Sequence, residues 1–386
     1  MATLTYKTAG ESHGKTLLTL VEGFPAGVSI DHGWIDAELK RRQGGYGRGG
    51  RQKIETDVVE VLTGIRHGRS TGAPIAMQVV NKDSRIDEAP PLHRPRPGHA
   101  DLAGSLKWLT TDCRETLERA SARETAARVA AGGLAKCLLR EFGIAVVGFV
   151  RSIGSAEAKA IDTSEIDKLI VARDASDVYC PNADASAAMR ALIRQAKEDG
   201  DTLGGLCEVH VFGCPPGLGT CVQWDQRLDS RLAAAVMGIQ AFKSVEIGMG
   251  KDVAFLPGSK VHDPIGFDAA GSGTATLGFT RSSNNAGGIE GGMTNGQPVI
   301  VRGAMKPIST LLKPLASVDL NTKGAEQAGY ERSDVCAVSA ASVVMEAVVA
   351  FEIARALADK FAGDSLIEML ANYRTYLELA RNLPSD

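Results

Sequence analysis

The chain has no surplus of charge of either sign: 43 Lys and Arg stand against 46 Asp and Glu, a formal net charge of −3 over 386 residues. Bulk electrostatics therefore give no reason to expect nucleic acid or an anionic membrane as partner, and any affinity for anions must come from local placement of arginines. Cysteines are few, odd in number and scattered, at positions 113, 137, 180, 207, 214, 221 and 336. That argues against a disulfide framework and for a reducing compartment. The first residues, Met1-Ala-Thr-Leu-Thr-Tyr-Lys7, lack an apolar signal core, so the cytoplasm is the expected location. The longest apolar stretch, about 335–358, is broken by Glu346, Glu352 and Arg355. A membrane helix needs roughly 18–20 residues with few or no charges, so a buried helix is expected there. No Pro/Ser-rich linker and no repeat divides the sequence, and a single domain over 1–386 is the simpler expectation.

Glycine is what the chain does have. Its 43 glycines are about 11% of the chain against a usual ~7%. They gather beside Arg, Asn, Ser and His, a composition suited to loops whose backbone approaches a ligand closely. Hydrophobic periodicity predicts helices over 114–142, 184–197, 229–242, 340–361 and 365–381, the last capped by Asp364. Strands are expected at 16–22, 75–80, 145–150, 207–212 and 299–303. They come in pairs or runs between long helices without regular βα alternation, which points to an α+β fold with antiparallel sheets. The segment 257–279 reads as a mobile connection.

Two motifs point in misleading directions. Gly10-Glu-Ser-His-Gly14 fits the nucleophile elbow of a serine hydrolase using Ser12, but that motif requires a following helix, and residues 15–21 read as a strand. Residues 9–16 also fit a relaxed phosphate loop, against which the same objection holds. The residue of interest there is His13, held in a glycine turn. The run 41–51 carries four arginines among glycines. It reads as a solvated loop, as an RNA-binding Arg-Gly segment, or as an anion clamp whose guanidinium forks grip phosphate or carboxylate. A metal site from His93, His99 and Asp101 finds no support in another His/Cys cluster. Cys207 and His210 would point to opposite faces of a strand, so no metal is expected.

Three further clusters carry chemistry. Residues 93–101, His-Arg-Pro-Arg-Pro-Gly-His-Ala-Asp, place two His and two Arg on a proline-stiffened chain. Residues 281–296 and 305–310 combine Arg, Asn, Ser, Gly and Lys in the way expected of a backbone cradle for phosphate or a flavin edge. Arg332 and Asp334 stand before the buried helix, where its dipole favours an anion.

Taken in order, Gly10–Gly14, Arg42 to Asp57, Arg94 to Asp101, Arg119 to Thr125, 281–310 and Arg332 to Val338 resemble the chorismate synthase family over nearly the whole chain. The resemblance implies a β-α-β sandwich of antiparallel sheets and helices assembled as a homotetramer. It implies a 1,4-elimination of phosphate from 5-enolpyruvylshikimate 3-phosphate, with reduced FMN required and NADPH as a possible reductant. By the same resemblance His13 acts as acid toward the departing phosphate, His99 serves flavin N1, and Asp334 with Ser12 manages the proton at flavin N5. Substrate anion positions map to Arg42, Arg48, Arg96, Arg123 and Arg332. Cofactor contacts map to Arg119, Ala120, Ser121, Gln240, Ala241, Gly291, Lys306, Pro307, Ile308, Ser309, Thr310 and Arg332, with the nicotinamide nucleotide at Arg42 and Arg48. The sequence departs from the family at Ser339 and Gln52, where a proline and a methionine are usual, and over 107–114. Ser339 is expected to loosen the entrance to the buried helix.

Overall fold

The computed structural model describes residues 3–49, 54–159, 161–331 and 334–383. The first sheet is built from β1 (Thr5–Ala9), β2 (Thr16–Glu22), β3 (Glu60–Val61) and, beyond a small hairpin of β4 (Ile65–Arg66) and β5 (Arg69–Ser70), β6 (Ile75–Val80). Its order is β1-β2-β6-β3 and every pairing is antiparallel. In β2 alternate residues Leu17, Thr19 and Val21 face the core while Leu18 and Leu20 stay exposed, the period-2 pattern of a half-buried strand. The second sheet contains β7 (Ala145–Ile153), β8 (Ala156–Glu157), β9 (Gly205–Phe212) and β10 (Phe242–Ile247). After two hairpins, β11 (Ile265–Phe267) with β12 (Phe279–Arg281) and β13 (Ile289–Glu290) with β14 (Met293–Thr294), β15 (Val299–Met305) completes it. Its order is β10-β15-β9-β7-β8, again antiparallel.

The α-helices are α1 (His32–Gln43), α2 (Asp101–Trp108), α3 (Arg114–Ala120), α4 (Thr125–Arg140), α5 (Ile166–Asp174), α6 (Ala183–Glu198), α7 (Leu228–Met237), the single turn α8 (Gly258–Val261), α9 (Val338–Phe361) and α10 (Leu366–Arg381), and a further hairpin pairs β16 (Ala316–Val318) with β17 (Ala325–Gln327). Helices α4, α9 and α1 pack on one another, α4 lying on the first sheet and α9 on the second. The result is the α+β fold with antiparallel sheets that the strand pattern predicts, layered as the β-α-β sandwich that the resemblance implies. The approach of α4 to α9 depends on Gly132, where a Cβ would lie 2.4 Å from that of Ala347. Both helices are buried nearly all round, which is what a middle layer with sheet on either side demands.

This apolar layer encloses a charged cluster. Glu346 of α9 accepts from Lys136 Nζ of α4, from Arg41 of α1 at 2.7 Å and from the Gly148 amide of β7 at 2.8 Å. Glu38 of α1 binds the same Lys136 and Arg41 at 2.7 and 2.6 Å. Burial pushes the Glu38 carboxyl up, but Lys136 and Arg41 overcome it and hold the group at about 2. Removing one member would strand a buried charge, so the cluster fixes the C-terminal end of α1, from which the next residue, Arg42, enters the site.

Several boundaries differ from the sequence expectation. The helix predicted over 114–142 is broken: Ser121 is extended (φ −65°, ψ 140°) and caps a short 3-10 turn, Ala122–Glu124, before α4 begins. The helix predicted from 229 ends at Met237, followed by Gly238. The last helix is capped by Ser365 rather than Asp364, in a capping box with Glu368. The stretch 257–279, expected as a mobile connection, contains α8 and most of the β11–β12 hairpin. Ser339 does not loosen the start of α9: it is buried and donates to the Val178 carbonyl at 3.2 Å. The departure over 107–114 has a visible cost, because Leu109 caps α2 with φ +58° and is almost fully exposed, a left-handed conformation that suits glycine.

Candidate active site

His13 lies in the connection between β1 and β2, so Gly10–Gly14 joins two antiparallel strands and no helix follows it. The turn needs glycine at its start: Gly10 has φ +108°, and a Cβ there would stand 2.3 Å from the Thr16 carbonyl. Asn81, just after β6, donates to the carbonyls of Glu11, Ser12 and Gly14 at 3.1, 3.3 and 2.8 Å. The amides of Arg85 and Ile86 cap the His13 carbonyl. The imidazole Nδ1 meets the buried carboxylate of Glu118 on α3 at 2.9 Å, while Nε2 faces Asp83 at 3.7 Å. Beside Asp83 a cavity of about 490 Å³ is lined by Ile54, Lys82 and Arg85. Ser12 accepts from the Ser121 hydroxyl at 3.1 Å.

The same Asn81 ties this turn to the arginines, since its Oδ1 accepts from Arg123 Nε at 2.8 Å. Arg123 places Nη1 on Asp57 at 2.6 and 2.7 Å, and Arg42 places Nη2 on the same carboxylate at 2.7 Å. Burial raises the Asp57 carboxyl, but the two arginines hold it below the usual carboxylate range. Burial also pulls the Arg42 guanidinium down to about 10, Asp57 opposing and Arg123 adding to the effect; it remains a cation at neutral pH. Arg42 Nε, Arg123 Nη2 and Arg48 Nη1 are buried with no hydrogen-bond partner among the described residues. Such groups are costly unless something fills them. Arg48 also pairs with Asp334 at 3.0 Å, and Asp334 accepts from the Gly49 amide at 2.5 Å.

A second centre forms around His99. Its Nδ1 is hydrogen-bonded to Asp101, the first residue of α2. Arg96 donates to the same carboxylate through Nε and Nη2 at 2.8 and 3.0 Å, and to Thr310 through Nη1 at 2.9 Å. Burial raises the Asp101 carboxyl, and the bonds from His99 and Arg96 more than offset it, leaving it well below the ordinary range. With these donors engaged within the protein, Arg96 is placed to hold His99 and Asp101. The carboxylates that bind the two histidines, Asp101 and Glu118, stand on neighbouring helices: α2 and α3 touch where Gly104 meets Thr116, leaving no space for a Cβ at Gly104.

The positions expected to meet a cofactor fall into two places. Arg119 holds the Gly10 and Thr8 carbonyls at 2.8 and 3.2 Å. Together with Ala120, Trp108, Glu115 and Thr116 it lines a cavity of about 400 Å³. Gln240 donates to Glu124 at 3.1 Å, while its Oε1 is buried without a partner among the described residues. Ala241 has φ +69°, strained for a residue with a side chain. Its carbonyl accepts from the Lys306 amide at 2.9 Å. Lys306 in turn caps the Gly98 carbonyl, and Ser309 stands beside Gly98. The Ile308 carbonyl, one residue past Pro307, accepts from Thr202 at 2.7 Å. Gly291 is elsewhere: its hairpin lies at the start of α7, where the Leu228 amide donates to the Gly292 carbonyl at 2.9 Å. A ten-residue helix, roughly 15 Å at 1.5 Å per residue, separates it from Gln240. Arg332 and Arg51, both expected in anion sites, lie outside the described residues.

Sequence reasoning passed over Glu118, Asn81, Asp83 and the bridging role of Asp57. Asn81 and Glu118 act on the 10–14 turn across 67 or more residues of chain, and no local spacing announces such contacts. Asp57 alone carried a signal, as the acid of a Glu-Thr-Asp run close after the arginine cluster.

The comparisons with known proteins agree with one another. The family model described as chorismate synthase matches residues 4–358. A chorismate synthase of Desulforamulus reducens is 53% identical over 98% of this chain and 100% of its own length. That of Symbiobacterium thermophilum is 54% identical over 97% and 98% respectively. A crystal structure of a chorismate synthase, 39% identical, superposes with a TM-score of 0.80 over 99% of this chain and 100% of the other.

Proposed function

The chain belongs to the chorismate synthase family, and from that premise we propose that the His13, Arg42, Arg48 and Arg123 cluster is where its substrate reacts. The activity is the conversion of 5-enolpyruvylshikimate 3-phosphate to chorismate by 1,4-elimination of phosphate, a carbon–oxygen lyase reaction on the route to the aromatic amino acids. The family acts with reduced flavin although the reaction has no net redox change.

The observation that carries the assignment is the set of buried guanidinium N–H groups on Arg42, Arg48 and Arg123 that make no hydrogen bond among the described residues, Arg123 Nη2 standing 3.6 Å from the Glu55 carboxylate. The substrate bears a phosphate and two carboxylates, and each charge-assisted hydrogen bond to such a group contributes about 1.5–3 kcal/mol. Asp57 keeps Arg42 and Arg123 in place and Asp334 pairs with Arg48, while Asn81 links Arg123 to the His13 turn. His13 serves as the acid toward the departing phosphate. His99, with its Nδ1 held by Asp101, holds or moves a proton at flavin N1. Asp334 with Ser12 handles the proton at flavin N5, and Arg332 joins the anion positions.

FMN is the flavin proposed, with NADPH as reductant meeting Arg42 and Arg48. Its protein contacts are assigned to Arg119, Ala120, Ser121, Gln240, Ala241 and the segment 306–310. The residues there fit such a group: a buried amide acceptor on Gln240 suits a ring N–H, and Arg119 and Lys306 suit a phosphate. When bound, the reduced flavin supplies electron density to the substrate and removes its hydrogen. The enzyme is further proposed to be one domain, cytoplasmic and a homotetramer; no described helix is long and apolar enough to cross a membrane.

An anaerobic assay of phosphate release tests the reading. Release from 5-enolpyruvylshikimate 3-phosphate is expected with reduced FMN and not with oxidised FMN. Equal release without any reduced flavin, or labelling of Ser12 by a fluorophosphonate, would contradict it.

A further inference from the structure

We propose that Glu118 is the positioning residue of His13, fixing both the backbone of the Ser12–His13 turn and the ring nitrogen that faces the reacting phosphate. The inference rests on His13 being the acid. Glu118 lies in the last turn of α3 with its side chain almost wholly buried. Its main-chain carbonyl accepts from the Ser12 amide at 2.9 Å. Its carboxylate accepts from the His13 amide at 2.9 Å, and its two oxygens stand 3.0 and 2.9 Å from His13 Nδ1. One residue thus holds two successive amides and the ring.

The carboxylate also decides where the imidazole proton goes. Burial raises Glu118, but the bond and charge of His13, with Arg114 at 3.6 Å, bring it below the ordinary range, so it is an anion at neutral pH. An anion at Nδ1 accepts only, so Nδ1 keeps its hydrogen and Nε2 is the nitrogen that gives one up. Nε2 faces Asp83, itself paired with Arg85 at 2.9 Å and lining the 490 Å³ cavity. In the step, the Nε2 proton passes to a phosphate oxygen as the substrate C–O bond breaks with its electron pair leaving on phosphate; the electrons of the substrate C–H bond form the new C=C bond of the diene, and its hydrogen would go to the bound reduced flavin. His13 is left neutral with Nδ1–H still on Glu118, and the carboxylate takes no proton. The charged groups around the ring are therefore Glu118 and Asp83, backed by Arg114 and Arg85.

The test is Glu118→Gln in the full chain, which keeps size and a hydrogen-bond acceptor but removes the charge. With reduced FMN and substrate under anaerobic conditions, the alkaline limb of the kcat/KM profile is expected to move to lower pH by about one unit. In the NMR spectrum, the His13 ring signal, identified by its loss in His13→Ala, should titrate with the same displacement. In a His13→Ala background, Glu118→Gln should change kcat less than about threefold, because the pair acts as a unit. An unmoved limb together with an unmoved ring titration would overturn the proposal, as would a full loss of rate in the His13→Ala background. Should Glu118→Gln not fold, Glu118→Asp serves: the charge is kept, so kcat falls while the limb stays, and a displaced limb contradicts the role. Wild-type turnover in His13→Ala would refute the premise instead, and the ring titration separates that failure from this one.

Discussion

Two regions of this molecule look alike in sequence and differ in structure. Both the 41–48 segment with its partners and the 281–296 run combine arginine with glycine and polar residues. In the second, the polar groups are turned on one another: Arg281 grips Glu290 with two 2.8 Å bonds, and Asn295 binds the same carboxylate at 2.9 Å. Ser283 and the amides of Asn285 and Ala286 all go to Asp263, and Asn284 bridges the Pro298 carbonyl and the Gly288 amide. In the first, the guanidinium groups of Arg42 and Arg123 are held at one edge by Asp57 and retain buried donors at another. The 281–296 run is a clasp whose polar groups bind one another, whereas the proposed anion site draws on the arginines around Asp57, whose donors the fold holds in place without fully engaging.

Substitutions should separate the two regions sharply. Arg123→Ala leaves Asp57 and Asn81 without a main partner in the interior. Breaking such a buried pair costs about 3–5 kcal/mol, so a large fall in the urea midpoint and loss of turnover are expected. His13→Ala should lower kcat by about 10²- to 10⁴-fold, the usual worth of a positioned general acid, with the urea midpoint nearly unchanged. Acid should weaken both regions. Asp57, Asp101 and Glu118, like Asp263 and Glu290 of the clasp, have folded values below their unfolded ones. Their contribution to stability is present above the ordinary carboxylate range and is lost as pH falls from there through the lower folded values. Denaturant midpoints should therefore decline steadily from roughly pH 5 toward pH 1. The smallest effect is expected from Arg281→Ala: its side chain is buried, but its partner Glu290 is part-exposed and keeps the Asn295 bond, so the loss is about 1–3 kcal/mol, with turnover close to normal. A result in which Arg281→Ala is more damaging than Arg123→Ala would dissolve the distinction.

The sequence made some of this legible and hid the rest for physical reasons. Strands β2 and β6 announce themselves by β-rich composition, and α9 by an apolar run that only a middle layer can absorb. Helix α1 does not: His32–Gln43 is polar, and it is held by the ionic cluster of Glu38, Arg41, Lys136 and Glu346, whose bonded partners are up to 305 residues apart. The break at Ser121 is hidden because its neighbours on both sides favour helix, while its own hydroxyl caps the next turn by accepting from the Arg123 amide. Of the candidate site, the family resemblance supplied the histidines and arginines. The acids that orient them were legible only at Asp101, two residues from His99, and in part at Asp57, close after the arginine cluster. Gly291, a cofactor position by the resemblance alone, lies in a hairpin at the start of α7, apart from Gln240 and the 306–310 segment.

The most direct test of the account compares the substrate dependence of anaerobic, reduced-FMN phosphate release in Arg42→Lys and Arg281→Lys. Lysine keeps the charge in both but removes the guanidinium fork. The account predicts a KM raised about tenfold or more in Arg42→Lys, the loss of one bond of about 1.5–3 kcal/mol, and a KM within about twofold of wild type in Arg281→Lys. A normal KM in Arg42→Lys with a raised one in Arg281→Lys would contradict it.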